Sequence, residues 1–467
     1  MDVILPEINI ASIKNSKLAS QVTQLVNIVE EVLKRIDGLI KENTLLKQEI
    51  ARLKKQSSPP TFPSRDYSAT KRMGHASSKW KKSKKKGTLA VDQIVTMPKV
   101  TLCTCGETQF TTIRTHERIA QDIIIKRNNI LYQWADYQCT GCGKIHKGTL
   151  PEEVKGQEFG ASLRSWTSVL KYDYRFTLPL LHRLYSGLNI KISTGQLSHI
   201  ILKNSNALLS AYTYLKVWGI KLSKYLQSDA TGMKRKAARR SSTIVRQHLH
   251  FLGHKFLSIF KITGRYNTAA ISQILGKTGK KKPFVSDDAS CYGELLMVLY
   301  KQLCWLHEIR HYLKLDPRFN QHKKKLAEII GEFWEFYQQA KDYCRNPTET
   351  GRNELETHFD LITNQDTGYR ELDHRLELTR RKRERLLVFL THPFLPIHNN
   401  QSEQDVRDAV MIRMISRETK SKAGDRSLER HLSIIHTAKK QGLDVFETIH
   451  GFLTGILSPS ILTAQTM

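Results

Sequence analysis

A β-strand that carries or precedes an aspartate is predicted twice in this chain, by KYLQSDATGMK (224–234) and by KKPFVSDDAS (281–290). The first segment carries Asp229, and the second ends at Asp287 and Asp288. A single aspartate at a strand end is ordinarily a cap or turn residue. The order of the elements around the two segments is therefore what makes them informative.

The neighbouring segments complete a recognisable order of elements. They predict two more strands, a helix, another helix and a last short strand: HLHFLGHK (248–255), KFLSIFKIT (255–263), NTAAISQIL (267–275), ELLMVLY (294–300) and QLCWLH (302–307). The order β-β-β-α-β-α-β is that of a ribonuclease-H-like core, an α/β fold whose first and fourth strands run side by side. We therefore expect Asp229 and Asp287 to meet, although 58 positions separate them.

A third carboxylate stands in FLPIHNNQSEQDVRDAVMIRMIS (394–416), where Glu403 opens a predicted helix and Arg407 shares its face. A lone glutamate in a first turn ordinarily complements the helix dipole. Together with Asp229 and Asp287, Glu403 would offer three carboxylates to Mg²⁺ or Mn²⁺, because hard cations prefer oxygen ligands. Two such ions can clamp the attacking and leaving oxygens of a phosphodiester. Asp288 is the alternative to Asp287.

Residues 18–53 have the cleanest apolar periodicity in the chain. Apolar residues recur at spacings of four and three, with β-branched residues at heptad position a and mainly leucine at d, which favours two parallel helices. Asn43 at position a would set register and dimer state. The pattern predicts a coiled-coil homodimer, and the alternative is an amphipathic helix that packs on its own chain. Position a holds Val22, Val29, Ile36, Asn43 and Ile50; position d holds Leu18, Leu25, Val32, Leu39, Leu46 and Leu53.

The chain is strongly basic, with 74 Lys and Arg against 44 Asp and Glu, a net charge of +30 over 467 residues. Double-stranded DNA is the simplest partner, because each cation that neutralises a phosphate releases a counterion. A membrane surface is the weaker alternative.

The Ser-, Pro- and Lys-rich residues 56–95 predict a solvated linker. Its run KWKKSKKK either follows DNA phosphates or is a plain tether; the candidate contacts are Lys79, Lys81, Lys82, Lys84, Lys85 and Lys86.

Four of the seven cysteines form two close pairs. Two pairs separated by a β-like stretch predict a zinc ribbon, in which four thiolates bind Zn²⁺. Cys139-x-x-Cys142 followed by glycine is a good metal knuckle, whereas Cys103-x-Cys105 is irregular because two intervening residues are usual. His146 could substitute for one thiolate. The alternative is two unrelated pairs.

A helix, a turn at Gly187 and a second helix with Ser193 or Thr194 as its N-cap are predicted after the ribbon. The arrangement resembles a helix-turn-helix, but it is also common in plain helical packing. The run RRKRER (380–385) is either a solvated helix face or a phosphate-binding face.

The sequence thus predicts an α/β multidomain protein. No apolar run is long enough to span a membrane, and the N-terminus lacks the plan of a signal peptide, which indicates a cytoplasmic setting with reduced thiols. The expected domains are a coiled-coil helix at 15–55, a basic linker at 56–95, a zinc ribbon at 96–150, a helical segment at 151–215, a ribonuclease-H-like catalytic core at 216–420 with a helical insertion at about 306–390, and a helical tail at 421–467.

These segments resemble the insertion-sequence-sixty-six family of bacterial transposases, which have a DDE catalytic triad. The resemblance runs from about residue 15 to the end and includes the family's domain order. Its most specific piece is the Asn-Asn-x-x-Glu pattern with its neighbours. The segments that carry it are KYDYRFTLPLLHRLY (171–185), SDATG (228–232), VSDDASCY (285–292), CWLHEIRHY (304–312), LPIHNNQSEQDVRDAVMIR (395–413) and GDRSLERHLSIIHTAKKQGLDVFETI (424–449).

The resemblance implies a role for each matching residue. Asp229, Asp287 and Glu403 would be the triad of a DNA transposase. The supporting residues would be Asn399 and Asn400, which position the helix of Glu403, and Trp305, His307 and Arg310, which match a Trp-x-His-x-x-Arg signature with a structural or DNA-contacting task. The sequence departs from the family pattern at Ala230, His398, Gln404 and the Cys103 pair.

A transposase of this family would cut and join transposon DNA ends in the bacterial cytoplasm, in association with the nucleoid. It would act as a homodimer, with Mg²⁺ or Mn²⁺ in the core, Zn²⁺ in the ribbon and accessory transposition proteins as partners. Two other functions fit the residues themselves: a DNA-binding protein with a decayed core, and a nuclease on the same fold.

Overall fold

The computed structural model describes residues 16–53, 91–97, 104, 108–123, 125–151, 155–237, 243–279, 281–289 and 300–466. The chain divides into two compact units, one of Met1–Asp37 with Asn129–Met467 and one of Gly38–Asn128. The predicted DNA contacts at Lys79–Lys86 and the predicted zinc ligands Cys103 and Cys105 lie outside the described residues. So does the predicted helix ELLMVLY, except for Tyr300.

A five-stranded mixed sheet lies at the centre of the larger unit. After a two-residue pair, β1 (Tyr137–Gln138) and β2 (Ile145–His146), come β3 (Leu226–Lys236), β4 (Ile244–His254), β5 (Leu257–Thr263), β6 (Phe284–Ser286) and β7 (Lys301–Leu303). The strand order is β5-β4-β3-β6-β7; the first three strands are antiparallel, and β6 and β7 run parallel to β3. The predicted adjacency of the first and fourth strands is therefore confirmed.

The helices come mostly before or after the sheet in the chain, and one of them, Thr268–Gly279, connects β5 to β6. They are α1 (Ser16–Leu53), α2 (Ala161–Tyr172), α3 (Leu178–Gly187), α4 (Thr194–Ala207), α5 (Leu209–Tyr214), a π-helical turn (Leu215–Gly219), α6 (Ile220–Leu222), α7 (Thr268–Gly279), α8 (Trp305–Tyr312), α9 (Asn320–Arg345), α10 (Glu349–Thr363), α11 (Arg370–Arg380), α12 (Arg383–Leu386), α13 (Val388–Thr391), α14 (Asn400–Ser416), α15 (Lys422–Lys440) and α16 (Val445–Thr454), followed by a 3-10 helix (Pro459–Thr466). In the part of the chain described here, no helix is both long and apolar enough to cross a bilayer.

The segment before the sheet contains more helices than the two predicted, since α2, α3, α4, α5 and α6 all precede β3. Helix α4 begins as expected, since Ser193 and Gln196 form a capping box at its first turn. The helix predicted before Gly187 is instead two helices, α2 and α3. The break arises because Thr177 accepts a hydrogen bond from Leu180 N and Pro179 stands in the first turn, both of which start a new helix.

A second apolar core forms around α8–α13, the predicted helical insertion. Trp305 at its centre is fully buried among Phe333, Phe336 and Phe359, and its Nε1 donates to Leu386 O at 2.9 Å. The same helix α8 places His307 and Arg310 beside Glu403. The insertion therefore supports one side of the candidate site.

Helix α15 covers the free edge of the sheet. Backbone N–H groups of Ser258, Phe260 and Ile262 on β5 donate to side chains four residues apart on α15: Thr437 Oγ1 at 3.0 Å, Ser433 Oγ at 2.9 Å and Glu429 Oε1 at 2.8 Å. The match works because two strand residues and four helix residues both span about 6–7 Å. An edge strand that would otherwise offer unpaired donors is thus satisfied within the chain.

The first half of α1 packs against the insertion through one face. Glu30 is 2% exposed; its carboxylate accepts from Arg318 N at 2.6 Å and pairs with His322 Nδ1 at 2.5 Å. Lys34 Nζ lies 2.6 Å from Glu371 Oε2, and Val26 is buried beside this contact. These residues occupy heptad positions b, e and f, so the helix binds its own chain with the face opposite to the predicted coiled-coil seam.

We expect Ser433→Ala to destabilise the protein, because it leaves the buried N–H of Phe260 without an acceptor. The free energy of unfolding should fall by about 1–3 kcal/mol. Thermal or denaturant unfolding measures the change against Ser186→Ala, the same substitution at an exposed serine of α3. Equal stabilities of the two variants would contradict the edge-capping role of α15.

Candidate active site

The register of β3 with β6 places Asp229 and Asp287 level with each other. Leu226 pairs with Phe284 and Gln227 with Val285, an offset of 58 positions that Asp229 and Asp287 share. Asp229 lies within β3 opposite Phe251, and Asp287 is the first residue after β6. Neighbouring strands are about 4.8 Å apart, so the two residues lie close together at this end of the sheet.

Glu403 comes to this site from the first turn of α14, and Asn399 fixes that turn. Asn399 is fully buried; its Nδ2 donates to Ser228 O at 2.8 Å, next to Asp229, and its backbone N–H donates to Cys304 Sγ at 3.2 Å. Its carbonyl accepts from Glu403 N at 3.2 Å. Asn399 thus joins β3, the start of α8 and the start of α14. Asn400 donates its backbone N–H to His398 Nδ1 at 3.4 Å.

Arg310 and His307 engage the Glu403 carboxylate from α8. Arg310 Nη1 and Nη2 donate to Oε1 and Oε2 at 3.1 and 3.3 Å, a two-point contact, and His307 Nε2 lies 3.6 Å from Oε1. The predicted supporting residues on α8 therefore make different kinds of contact. Trp305 is a core residue, whereas His307 and Arg310 contact the third carboxylate directly. Arg407, four residues after Glu403, is exposed.

Asp288 is engaged elsewhere. Lys382 Nζ lies 2.5 Å from Asp288 Oδ2 and 3.2 Å from Glu308 Oε2, and Glu308 also binds Arg375. Asp287 instead accepts from Ala289 N at 3.2 Å at the end of β6. The geometry favours Asp287 over Asp288 as the partner of Asp229.

The three carboxylates influence one another electrostatically. Burial, and to a lesser extent the negative charges of Asp287 and Glu403, raise the pKa of the Asp229 carboxyl to about 6, although a hydrogen bond from Ala230 N lowers it. Within the described ranges, no three His, Cys, Asp or Glu side chains form a ready metal-binding group. A buried carboxylate repelled by two others is nevertheless the environment that a divalent cation would stabilise.

Several residues that the sequence reasoning missed hold α14 in place. Asp405 is buried and pairs with Lys440 Nζ at 2.7 Å and His436 Nδ1 at 3.0 Å on α15. Arg413 Nη1 donates to Thr231 Oγ1 at 3.0 Å on β3. These partners lie 31 to 182 positions apart in the chain, so no local sequence pattern indicates them.

The run RRKRER is largely paired with the protein's own groups. Arg381 pairs with Glu377, Lys382 with Asp288 and Arg383 with Asp360, while Arg380 donates to Asn364. These four cations were predicted to form either a solvated face or a phosphate-binding face. In the structure they mainly contact other groups of the same chain.

The described half of the predicted zinc site has the local form of a knuckle. Gly143 has φ +72°, and Gly143 N and Cys139 N donate to Cys139 O and Lys144 O, both at 2.9 Å. Hydrogen bonds from the backbone N–H groups of Cys142 and Gly141 lower the pKa of the exposed Cys139 thiol. Such a thiol is suited to bind a cation as thiolate.

Asp229→Asn should stabilise the metal-free protein at neutral pH. The pKa of Asp229 is raised in the folded state, so its charged form opposes folding; this opposition is complete above pH 6 and absent below about pH 4. We expect a gain on the order of 1–2 kcal/mol at pH 7.5 that vanishes near pH 4, allowing for partial exposure of the group. Unfolding in the presence of a chelator measures it. The control Asp360→Asn removes the ion pair with Arg383 and should give no gain.

Comparisons with known proteins identify the family of the chain. Residues 156–427 match the model of the family described as "Transposase IS66 family". The chain is also 33% identical over 159 residues to "Uncharacterized protein y4jO" of Sinorhizobium fredii, a match that spans 34% of this chain and 48% of that protein. Since the family model covers more than half of the chain, including the strand of Asp229 and the helix of Glu403, the chain belongs to the Transposase IS66 family.

Proposed function

We propose that this protein is a DNA transposase that cuts and joins transposon DNA ends at Asp229, Asp287 and Glu403, on a ribonuclease-H-like core. The carrying observation is the β3–β6 register, which aligns the two aspartates, while Asn399 ties Glu403 to the same strand. The observed strand order, with three antiparallel strands followed by two parallel ones, supports this core.

The three carboxylates would hold divalent ions, Mg²⁺ or Mn²⁺. When bound, such ions activate a water or a DNA 3′-hydroxyl and stabilise the leaving oxygen. The all-oxygen donor set suits these hard cations, and the raised pKa of Asp229 marks a place where positive charge is favoured.

Arg310 has a distinct task in this proposal. It holds the Glu403 carboxylate by two hydrogen bonds and is itself about half exposed, at 46% of its side chain. A guanidinium in this position can keep Glu403 oriented and can also bind a phosphate of the DNA. His307 would orient the same carboxylate from one turn earlier on α8.

Double-stranded DNA would be bound over a wide basic surface. The net charge of +30 supports a polyanion as partner, and the predicted contacts at Lys79–Lys86 would add to it.

The thiols of Cys139 and Cys142 support Zn²⁺ as a second, structural ion, with Cys103 and Cys105 as the other predicted ligands. Accessory transposition proteins are proposed as partners only because of the family to which the chain belongs.

A homodimer through α1 is supported by the two faces of that helix. The face with positions b, e and f binds the insertion through Glu30 and Lys34, whereas most of the described apolar residues of positions a and d are exposed. Leu25, Val32, Leu39 and Ile50, for example, are 50–60% exposed. Leucine and valine exposed in a heptad pattern are the surface that a second α1 would bury.

If α1 forms the dimer, a charged residue at heptad position d should disrupt it. Val32→Glu and Leu39→Glu should each convert the dimer to a monomer without unfolding it, because both side chains are exposed in the single chain. Sedimentation velocity of the full chain at tens of micromolar measures this. Leu361→Glu, at an exposed apolar residue of α10, should remain a dimer. A monomeric wild-type chain would contradict the proposal.

The chemistry predicts that each of Asp229→Ala, Asp287→Ala and Glu403→Ala abolishes DNA cleavage. The loss should be on the order of a hundredfold or more for each variant, since ligands of one site act as a unit. DNA binding should survive, because its energy comes from basic surfaces. The assay uses a supercoiled plasmid that carries the coding sequence with its flanking DNA, in Mg²⁺ or Mn²⁺.

The matched control is Asp288→Ala, since Lys382 engages Asp288 away from the other two carboxylates. This variant should keep measurable cleavage. An inactive Asp288→Ala beside an active Asp287→Ala would shift the assignment by one residue. Cleavage without joined products would favour a nuclease, and undiminished activity in the Asp229 and Glu403 variants would place the active site elsewhere.

A further inference from the structure

One face of α14 continues the candidate active site as an exposed ridge. Residues 403, 407, 411 and 414 follow the i, i+4, i+8, i+11 spacing of a single helix face. Glu403 opens the ridge, Arg407 is exposed, and Met411 and Met414 are 37% and 68% exposed. We call these four residues the α14 ridge. It extends about 16 Å from Glu403, the length of about five stacked nucleotides.

The two methionines are exposed on a helix whose other faces are well anchored. Asp405 binds α15, Arg413 binds β3, and Ala409 and Ile412 are buried in the core. The helix therefore cannot rotate to bury Met411 and Met414. Adjacent exposed apolar side chains beside a functional site indicate a binding surface rather than ordinary scatter.

Arg407 lies between the carboxylate and the methionines. In the described part of the chain, it makes no hydrogen bond or ion pair that would occupy its guanidinium, whereas Arg413 on the same helix is bound to β3. A free guanidinium between a metal-binding carboxylate and two thioethers can take a phosphate.

We propose that the α14 ridge binds a DNA strand whose bases are unpaired next to the cut. This inference rests on the proposed transposase function. Arg407 holds a phosphate, and Met411 and Met414 pack against the faces of bases that have left the duplex stack. A fully paired duplex presents phosphates and sugars, which give a thioether little to bury. Unstacked bases present apolar faces, against which adaptable side chains such as Met pack well.

The test compares the binding of two duplexes of equal length, one fully paired and one with mismatched bases over the last few positions of one end. The full chain should prefer the open-ended duplex by about fivefold or more, as expected for contact with one or two unstacked bases. The double variant M411S/M414S should lose this preference and keep its affinity for the paired duplex. M411L/M414L should retain the preference, because Leu is also apolar.

Leu361→Ser is the control, as it replaces an equally exposed apolar residue on α10. It should leave both affinities unchanged. Arg407→Ala should lower the slope of log affinity against log salt by about one phosphate contact, whereas Lys324→Ala, an exposed cation of α9, should not.

Three results would overturn the inference. The first is an unchanged preference in M411S/M414S; the second is a wild-type chain that binds both duplexes equally, which leaves the transposase proposal standing. The third is loss of the dimer in M411S/M414S, measured by sedimentation, which would assign the ridge to a second copy. Absence of binding to either duplex would overturn the DNA-binding part of the proposed function as well.

Discussion

The candidate site depends on one buried residue, Asn399. Its side chain donates to Ser228 O on β3, its backbone N–H donates to Cys304 Sγ at the start of α8, and its carbonyl accepts from Glu403 N on α14, so this residue joins three of the elements around the candidate site. A buried amide that lost these partners would carry the full cost of its desolvation, so the three elements are held in one arrangement. Because these contacts are buried, the turn before Glu403 keeps one conformation, and this fixes the position of the Glu403 carboxylate.

The electrostatics of the site follow from this arrangement. Asp229 is raised in pKa by burial and by two neighbouring carboxylates, while Arg310 binds one of those neighbours and Lys382 binds the adjacent Asp288. Negative charge is therefore concentrated at the three carboxylates of the proposed metal site, whereas the charge of Asp288, one residue after Asp287, is neutralised by Lys382. Perturbed carboxyl groups of this kind are characteristic of functional sites.

Two helices show how the chain uses opposite faces for different contacts. On α1, Glu30 and Lys34 bind the insertion while the heptad residues face outward. On α14, Asp405 and Arg413 bind the core while Arg407 and Met414 face outward. In both helices the inward contacts are charged or hydrogen-bonded and therefore directional, which fixes the rotation of the helix and so the identity of its exposed face.

The sequence by itself determined whatever depends on short-range pattern. The 38-residue helix α1, the capping box of Ser193, the strands around Asp229 and Asp287 and the helix that opens near Glu403 were predicted because periodicity and cap chemistry act within a few residues. The adjacency of the first and fourth strands followed from the order of elements. The break before α3 was not predicted, because apolar residues lie on both sides of Thr177 and hid its role as a helix N-cap. Only the tertiary structure joined Arg310 to Glu403 and Lys382 to Asp288, because these contacts connect side chains 93 and 94 positions apart and depend on packing that no local pattern records.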